Sequence, residues 1–230
     1  MNNSMAVQDG AILESKSKIM SKIKKVIYYL TKRSFDIACS IIGLVFMIPL
    51  TLIVKISYIL TGDFQSIFYT QKRIGKNGKE FNFFKFRSMI PNADLELEKL
   101  LKENKDLKNE YQLNKKLRND PRITKMGDIL RKTSLDELPQ VLNILKGDMT
   151  VIGNRPYLPR EKKDMGKSFD IIVKTKPGLT GYWQVSGRSD TTFKKRLELE
   201  EYYSLHAGLK LDIKIFFKTF AVVLFKKGAK

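Results

Sequence analysis

Residues 37–54, IACSIIGLVFMIPLTLIV, decide how this 230-residue chain is organised. These 18 uncharged residues would extend about 27 Å as a helix at roughly 1.5 Å per residue, the short end of what crosses a bilayer. The run is apolar on every side, which favours a membrane segment over a buried core helix. Pro49 lies inside it and cannot donate a backbone hydrogen bond, so we expect a kink or a break there.

Both flanks of this apolar run are basic. No acidic residue occurs from Lys16 to Arg33, and Asp63 is the one acid among residues 55–79. Basic flanks stay on the cytoplasmic side of a membrane. The sequence therefore predicts a re-entrant helix over about residues 35–60, broken near Pro49. A single crossing with a displaced basic tail is the alternative.

The composition restricts the partners and the chemistry. Lys and Arg number 43 against 24 Asp and Glu, a net charge of +19, which calls for nucleic acid, anionic lipid or phosphorylated substrates as partners. One cysteine, Cys39, and one histidine, His206, exclude a disulfide framework and metal sites built from several such residues. Acid–base or nucleophilic chemistry should fall to carboxylates, with lysines and arginines binding anions.

The rest of the chain predicts an α+β fold, mainly helical and membrane-associated, with a small β-hairpin. Two strands, 68–74 and 81–87, flank Gly75-Lys76-Asn77-Gly78, and the Asn-Gly pair favours a hairpin turn. Because successive side chains of a strand point to opposite faces, Lys85 and Arg87 should lie on the same face of the second strand. The other candidates are a helix or helical pair over 92–118, partly helical residues 128–146, a strand at 150–152 and a strand that holds Trp183.

A basic amphipathic pattern occupies residues 209–225. Lys210, Lys214 and Lys218 repeat on one face among apolar residues. The pattern suits an interfacial helix in the headgroup plane, or a surface helix packed on the core. Residues 16–30 show a weaker version. We treat residues 1–31 as a basic N-terminal segment and residues 32–230 as one membrane-anchored domain.

The carboxylate pair Asp136-Glu137 stands out within TSLDELPQ (133–140). Ser134 and Glu137 have the spacing of a capping box, and Asp136 could itself be an N-cap. Alternatively, one carboxylate is a nucleophile that forms an acyl phosphate, and its neighbour holds Mg²⁺.

Several cations could bind phosphate oxygens, which arginine forks match with two hydrogen bonds. Each of them taken singly is more often a solvated surface charge. The candidates are Lys85, Arg87, Arg122, Arg131, Arg155 and Arg188.

Nine short motifs, in order, resemble the bacterial sugar transferases, the monotopic polyprenol-phosphate phosphoglycosyl transferases. The resemblance covers about residues 32–219. The motifs are KRSFD (32–36), QKRIG (71–75), KFRSM (85–89), DPRIT (120–124), SLDELPQ (134–140), KGDM (146–149), RP (155–156), KPGLTG (176–181) and WQVSGR (183–188).

The resemblance implies a UDP-sugar donor and undecaprenyl phosphate as acceptor. It implies that Asp136 attacks the sugar-side phosphate, that UMP leaves, and that the lipid phosphate then attacks the covalent phosphosugar intermediate. Glu137 would bind Mg²⁺. Lys85, Arg87, Arg131, Arg155 and Arg188 would bind phosphates.

The same resemblance implies the location and the pathway. The enzyme would act at the cytoplasmic face of the bacterial plasma membrane, in contact with its lipids, as the minimal catalytic form, and a homodimer is compatible with it. It would start the synthesis of a capsule, exopolysaccharide, O-antigen or glycoprotein glycan. The alternatives are a non-catalytic membrane scaffold of polysaccharide assembly and a basic nucleic-acid-binding protein; the uncharged run argues against the latter.

Overall fold

The protein is an α+β molecule in which helices predominate. A computed structural model describes residues 2–187 and 191–224. Its helices are α1 (Asn2–Leu60), α2 (Ala93–Glu103), α3 (Lys105–Asn114), α4 (Lys125–Lys132), α5 (Gln140–Lys146), α6 (Lys162–Met165), α7 (Ser168–Ile172), α8 (Phe193–His206) and α9 (Leu209–Leu224), with 3₁₀ turns at Lys76–Gly78, Leu135–Glu137 and Pro159–Glu161. Its strands are β1 (Phe68–Ile74), β2 (Glu80–Phe86), β3 (Thr150–Ile152) and β4 (Gly178–Thr180). The predicted fold class is confirmed in its α+β content and its small hairpin.

Helix α1 continues through Pro49, so the predicted break of the helix at this residue is wrong. Proline removes one N–H donor, and the turns on either side keep their own hydrogen bonds. Residues 19–60 of α1 are long and apolar enough to cross a membrane by length and composition, and 11% of the most apolar window is buried in the protein. A re-entrant path through a membrane stays a prediction.

One face of α1 packs on the rest of the molecule at both ends of the apolar run. Before the run, the Arg33 guanidinium donates to the carbonyl oxygens of Ile144 and Leu145 at 2.6 and 2.8 Å. After it, Tyr58 is buried and donates to the Arg87 carbonyl oxygen at 2.6 Å. The opposite face is exposed and apolar; it includes Ile41, Ile42, Val45, Phe46, Ile48, Leu52 and Ile53.

Strands β1 and β2 form the predicted antiparallel hairpin, in register from Phe68 opposite Phe86 to Ile74 opposite Glu80. Asn77 takes the left-handed conformation, with φ of 59°, that an Asn-Gly turn favours. Phe81 and Phe83 on β2 enter the main core beside Ile144 of α5, so β2 and α5 are fixed against each other. The main core also contains Met149, Val151, Ile152, Tyr203 and Ile215.

The second sheet pairs β3 with β4 in parallel. The predicted strand that holds Trp183 is wrong, because β4 ends at Thr180. Gln184 and Val185 both donate their N–H groups to the Gly181 carbonyl oxygen, which closes a turn around Trp183.

The helical pair predicted within 92–118 and the amphipathic helix predicted from residue 209 are both present. Residues 92–118 contain the pair α2 and α3, joined at Asn104. In α9, Asp212 and Ile215 are buried against the molecule, while Ile213 and Phe217 are exposed. α9 therefore packs on the core and also leaves an apolar face uncovered. The proposed domain boundary between residues 31 and 32 lies within α1, which is uninterrupted there.

Candidate active site

The Asp136-Glu137 pair lies in a 3₁₀ turn between α4 and α5. Ser134 before it has a φ of 59°, and its side chain makes no capping hydrogen bond. Both capping interpretations are therefore wrong. Asp136 is 5% exposed, and its carboxylate faces the hairpin instead of the helix end.

Lys85 of β2 bridges the two carboxylates. Its Nζ lies 3.2 Å from Asp136 Oδ2 and 2.9 Å from Glu137 Oε1. Burial raises the pKa of the Asp136 carboxyl, the Lys85 charge lowers it, and the Glu137 charge raises it again. Because α5 is packed on β2, the fold itself holds this cation between the two acids.

An open cleft lies beside this group. Polar and charged side chains from four separate parts of the chain meet on its wall. They include Arg73, Lys85, Glu137, Gln140, Arg155 and Trp183. The cleft therefore places several cations next to the Asp136-Glu137 carboxylates, which suits a substrate with phosphate groups.

Arg155 lies in this cleft, as a phosphate ligand should. Its backbone N–H donates to Glu200 Oε1 at 2.9 Å, which fixes the loop after β3. Its guanidinium lies 6.0 Å from the centre of the Trp183 ring, so the charged end is next to an aromatic wall.

Sequence reasoning missed Arg73 of β1. Its guanidinium donates to the Pro156 carbonyl oxygen at 2.9 Å and to Gln71 Oε1 at 2.8 Å. Burial and the nearby Arg155 lower its pKa to about 10, so it is still charged at neutral pH. Its place in QKRIG was a usable signal, because the alternation of side chains puts Arg73 and Lys85 on the same face of the hairpin, where both pack over the Phe83 ring.

Arg131 approaches Asp136 from α4 and is not part of the cleft wall. Its Nε donates to Ser88 Oγ at 3.0 Å, and its charge lowers the pKa of Asp136. The preceding residue, Leu130, packs with Val54 and Tyr58 of α1. Arg131 therefore lies on a helix that packs on α1, close enough to Asp136 for its charge to act on that carboxyl.

The structure does not bring Arg87 to this cleft. Strand β2 ends at Phe86, so the period-two argument that paired Arg87 with Lys85 does not reach it. Its guanidinium binds Asp63 at 2.8 Å and lies 4.5 Å from the centre of the Tyr58 ring. Arg122 similarly binds Asp120. Arg188 lies outside the described residues.

The carboxylates fit one kind of metal ion. Among the described residues no group of three or more His, Cys, Asp or Glu could form a complete protein cage. Mg²⁺ commonly takes one or two carboxylates together with substrate phosphates, and Asp136 and Glu137 supply such a pair at the cleft. The residues present therefore fit Mg²⁺ bound together with a phosphorylated substrate.

Comparison with known proteins identifies the family of this chain. The model of the family described as bacterial sugar transferase matches residues 27–226, most of the chain. The chain belongs to the bacterial sugar transferases. The predicted family is confirmed, and the matched region contains the Asp136-Glu137 turn and its cleft.

Relatives of this sugar transferase carry related names. It is 40% identical over 200 residues to the exopolysaccharide production protein ExoY of Sinorhizobium fredii, covering 87% of this chain and 88% of the relative. It is 42% identical over 212 residues to the undecaprenyl-phosphate galactose phosphotransferase of Salmonella typhimurium, covering 92% of this chain and 44% of the relative. The UDP-glucose:undecaprenyl-phosphate glucose-1-phosphate transferase of Xanthomonas campestris is 33% identical over 210 residues, covering 88% of this chain and 40% of the relative.

Proposed function

We propose that this sugar transferase moves a sugar-1-phosphate from a UDP-sugar to undecaprenyl phosphate and releases UMP. The observation that carries the proposal is the buried Asp136 carboxylate, bridged to Glu137 by Lys85 at the wall of a cationic cleft. The names of the relatives support the donor and acceptor classes.

The first step forms a bond between Asp136 and the donor. A carboxylate oxygen of Asp136 attacks the phosphorus next to the sugar, and the bond from that phosphorus to the bridging oxygen breaks. UMP leaves with that oxygen and its electron pair, and an acyl phosphate that carries the sugar remains on Asp136. Arg155 and Arg73, which line the cleft, would bind the diphosphate, and Lys85 would orient the Asp136 carboxylate.

The second step regenerates the carboxylate. An oxygen of the lipid phosphate attacks the same phosphorus, the bond to Asp136 breaks, and the sugar leaves as the lipid diphosphate. Arg131 supports binding of the lipid phosphate, because it lies near Asp136 on the side where α4 packs on α1. Two successive steps separate the two anionic substrates in time.

Glu137, with Asp136 beside it, would hold Mg²⁺. When bound there, the ion supplies positive charge against the phosphate oxygens. The chain supplies a positive charge of its own at these carboxylates, because the Lys85 Nζ lies 2.9 Å from Glu137 Oε1.

The exposed apolar face of α1 supports action at a membrane. Both ends of the uncharged run contact the same folded body, through Arg33 and through Tyr58. This arrangement supports a path in which both ends stay on one side, and the basic flanks support the cytoplasmic side of the plasma membrane. The product would start the assembly of a surface polysaccharide or another glycan.

The proposal is tested by trapping the covalent intermediate. Purified protein in detergent, given Mg²⁺ and a panel of UDP-sugars without lipid, should release UMP and gain the mass of one phosphosugar. Undecaprenyl phosphate should then discharge the adduct. Asp136→Asn should form no adduct and release no UMP.

A matched control is Asp128→Asn on α4, whose carboxylate is half exposed and binds Lys132 at the surface. It should keep wild-type rates. An adduct on Asp136→Asn would show that another residue is the nucleophile. A wild-type protein that turns over none of the UDP-sugars would favour the scaffold alternative.

A further inference from the structure

Two buried amides on α5 have opposite surroundings. Asn143 is fully buried, accepts from the Phe84 N–H at 3.0 Å and donates to the Asn82 carbonyl oxygen at 2.6 Å. Gln140, one turn earlier, is 2% exposed, and its Nε2 has no hydrogen-bond partner among the described residues. Asn143 therefore stabilises the packing of α5 on β2, whereas the Gln140 amide nitrogen has no such role.

The unpaired amide belongs to the cleft. Gln140 is on its wall with Lys85, Glu137 and Arg155. It follows Asp136 by four residues, about one helical turn. A buried donor without an acceptor destabilises a fold, so a group retained in this state is a candidate for contact with a ligand.

The same cleft contains other buried N–H donors that have no hydrogen-bond partner. The Nε atoms of Arg73 and Arg155 and the Nε1 of Trp183 are buried without a hydrogen-bond partner. All four such atoms on the cleft wall are donors, and the described part of that wall contributes no buried acceptor without a partner. A ligand that satisfies them must be rich in acceptor oxygens.

We propose that Gln140 is a substrate-binding residue whose amide donates to an oxygen of the donor's sugar-side phosphate while that phosphorus bonds to Asp136. The inference rests on the proposed function. Arg73 and Arg155 carry charge and attract the diphosphate from solution. Gln140 is neutral and close to the nucleophile in sequence, so it acts on the phosphate that reacts and does not pair with Asp136 as a cation would.

The test compares activity with stability in three variants. Gln140→Met keeps the approximate volume and removes the donor, so UMP release should fall by at least about tenfold, as removal of one donor to a developing charge does. The melting temperature should stay the same or rise, because an unsatisfied buried amide has been removed. Asn143→Leu should instead lower the melting temperature strongly. Gln112→Met, an exposed position on α3, should change neither.

The outcomes separate the two hypotheses. Wild-type UMP release in Gln140→Met overturns the role of Gln140 and leaves the nucleophile intact. A melting temperature lowered together with the activity makes Gln140 structural and also overturns its role. If the wild-type protein releases no UMP from any UDP-sugar, the proposed function fails and the inference fails with it.

Discussion

Glu200 is a second buried carboxylate near the cleft, and its surroundings differ from those of Asp136. It is fully buried on α8 and accepts the Arg155 backbone N–H. Burial raises its pKa to about 7, and the nearby charges of Arg155 and Arg196 only partly oppose this. Ionising the buried Glu200 carboxyl therefore costs free energy. The same carboxyl also holds the loop that carries Arg155.

Stability should depend on pH through Glu200. Its pKa is higher in the folded protein than the ordinary 4.5, so the folded state binds more protons between these values. The free energy of unfolding should therefore fall as pH rises from about 4.5 to about 7, by on the order of 3 kcal/mol. Glu200→Gln removes this titration. Its melting temperature relative to wild type should be higher at pH 8 than at pH 5. An equal difference at both values would contradict the role of Glu200.

At the residue scale, the sequence indicated candidate site residues that are neighbours along the chain or that belong to a short motif. Of the residues that it named, Lys85, Glu137 and Arg155 line one cleft and Asp136 lies beside Lys85. It did not single out Gln140, because only the packing of α5 on β2 creates the wall on which Gln140 lies. It paired Arg87 with Lys85, although Arg87 lies beyond the end of β2, because the end of a strand cannot be located to one residue by alternation alone.

Gly127 sets the contact between α4 and the end of the hairpin. A Cβ built on it would lie 1.9 Å from the Ser88 carbonyl oxygen. This contact is between backbones, so neither partner can rotate away. The position of α4, and with it Arg131, depends on this close approach.

Gly127→Ala should destabilise the protein by about 3 kcal/mol or more, because overpacking against a backbone cannot be relieved by a rotamer change. Thermal denaturation measures the loss. Gly208→Ala is the matched control, since a Cβ there would meet its nearest atom at 3.9 Å, and it should change the melting temperature little. A tolerated Gly127→Ala would mean that α4 can move away from Ser88.

The docking of α1 on α5 depends on Arg33, which binds the carbonyl oxygens at the C-terminal end of α5. Arg33→Met should reduce stability by about 2 to 4 kcal/mol, because two charge-assisted hydrogen bonds to carbonyl oxygens in the last turn of α5 are lost. Denaturant titration in detergent measures the change. Lys24→Met removes an equal charge from an exposed position of the same helix and should be neutral. Equal losses in both would point to a general charge effect.

At the element scale, local signals predicted some elements and misled for others. The Asn-Gly turn identified the hairpin, since it depends on the backbone preferences of two adjacent residues. Pro49 indicated a break that is absent, because a single missing N–H does not stop a helix whose neighbouring turns pack on α4 and α5. Trp183 indicated a strand, although the glycines around it form a turn.

The whole molecule combines a charge of +19 with a broad apolar surface on α1. Ile48 and Leu52 are 70% and 63% exposed, and such a surface is unusual unless it is covered by lipid or protein. This apolar surface lies on the face of α1 that is turned away from the folded body, whereas Met47 and Leu50 of α1 pack with Leu138, which directly follows the Asp136-Glu137 pair.

The double variant Ile48→Gln and Leu52→Gln should keep the fold and lose membrane association. Removing two exposed apolar side chains should lower partition into vesicles by about tenfold or more. Adduct formation from UDP-sugar in detergent should persist, because neither residue is part of the cleft. Flotation with vesicles that contain anionic lipid measures the binding.

The control for that experiment is the double variant Leu95→Gln and Leu113→Gln. Leu95 on α2 is 60% exposed and Leu113 on α3 is 65% exposed. It removes similar apolar area from helices other than α1 and should leave flotation unchanged. Equal losses in both pairs would indicate that exposed apolar area in general, not α1, binds the vesicles.

Gly43 brings α1 against α5, since a Cβ there would lie 2.7 Å from a methyl carbon of Val141. Val141 is the residue after Gln140, so a residue that contacts α1 and a residue that lines the cleft are neighbours on α5. An isoprenoid substrate could keep its whole tail dissolved among the acyl chains and offer only its headgroup. Catalysis would then tolerate tails of different length, provided that the bilayer is thick enough to hold them.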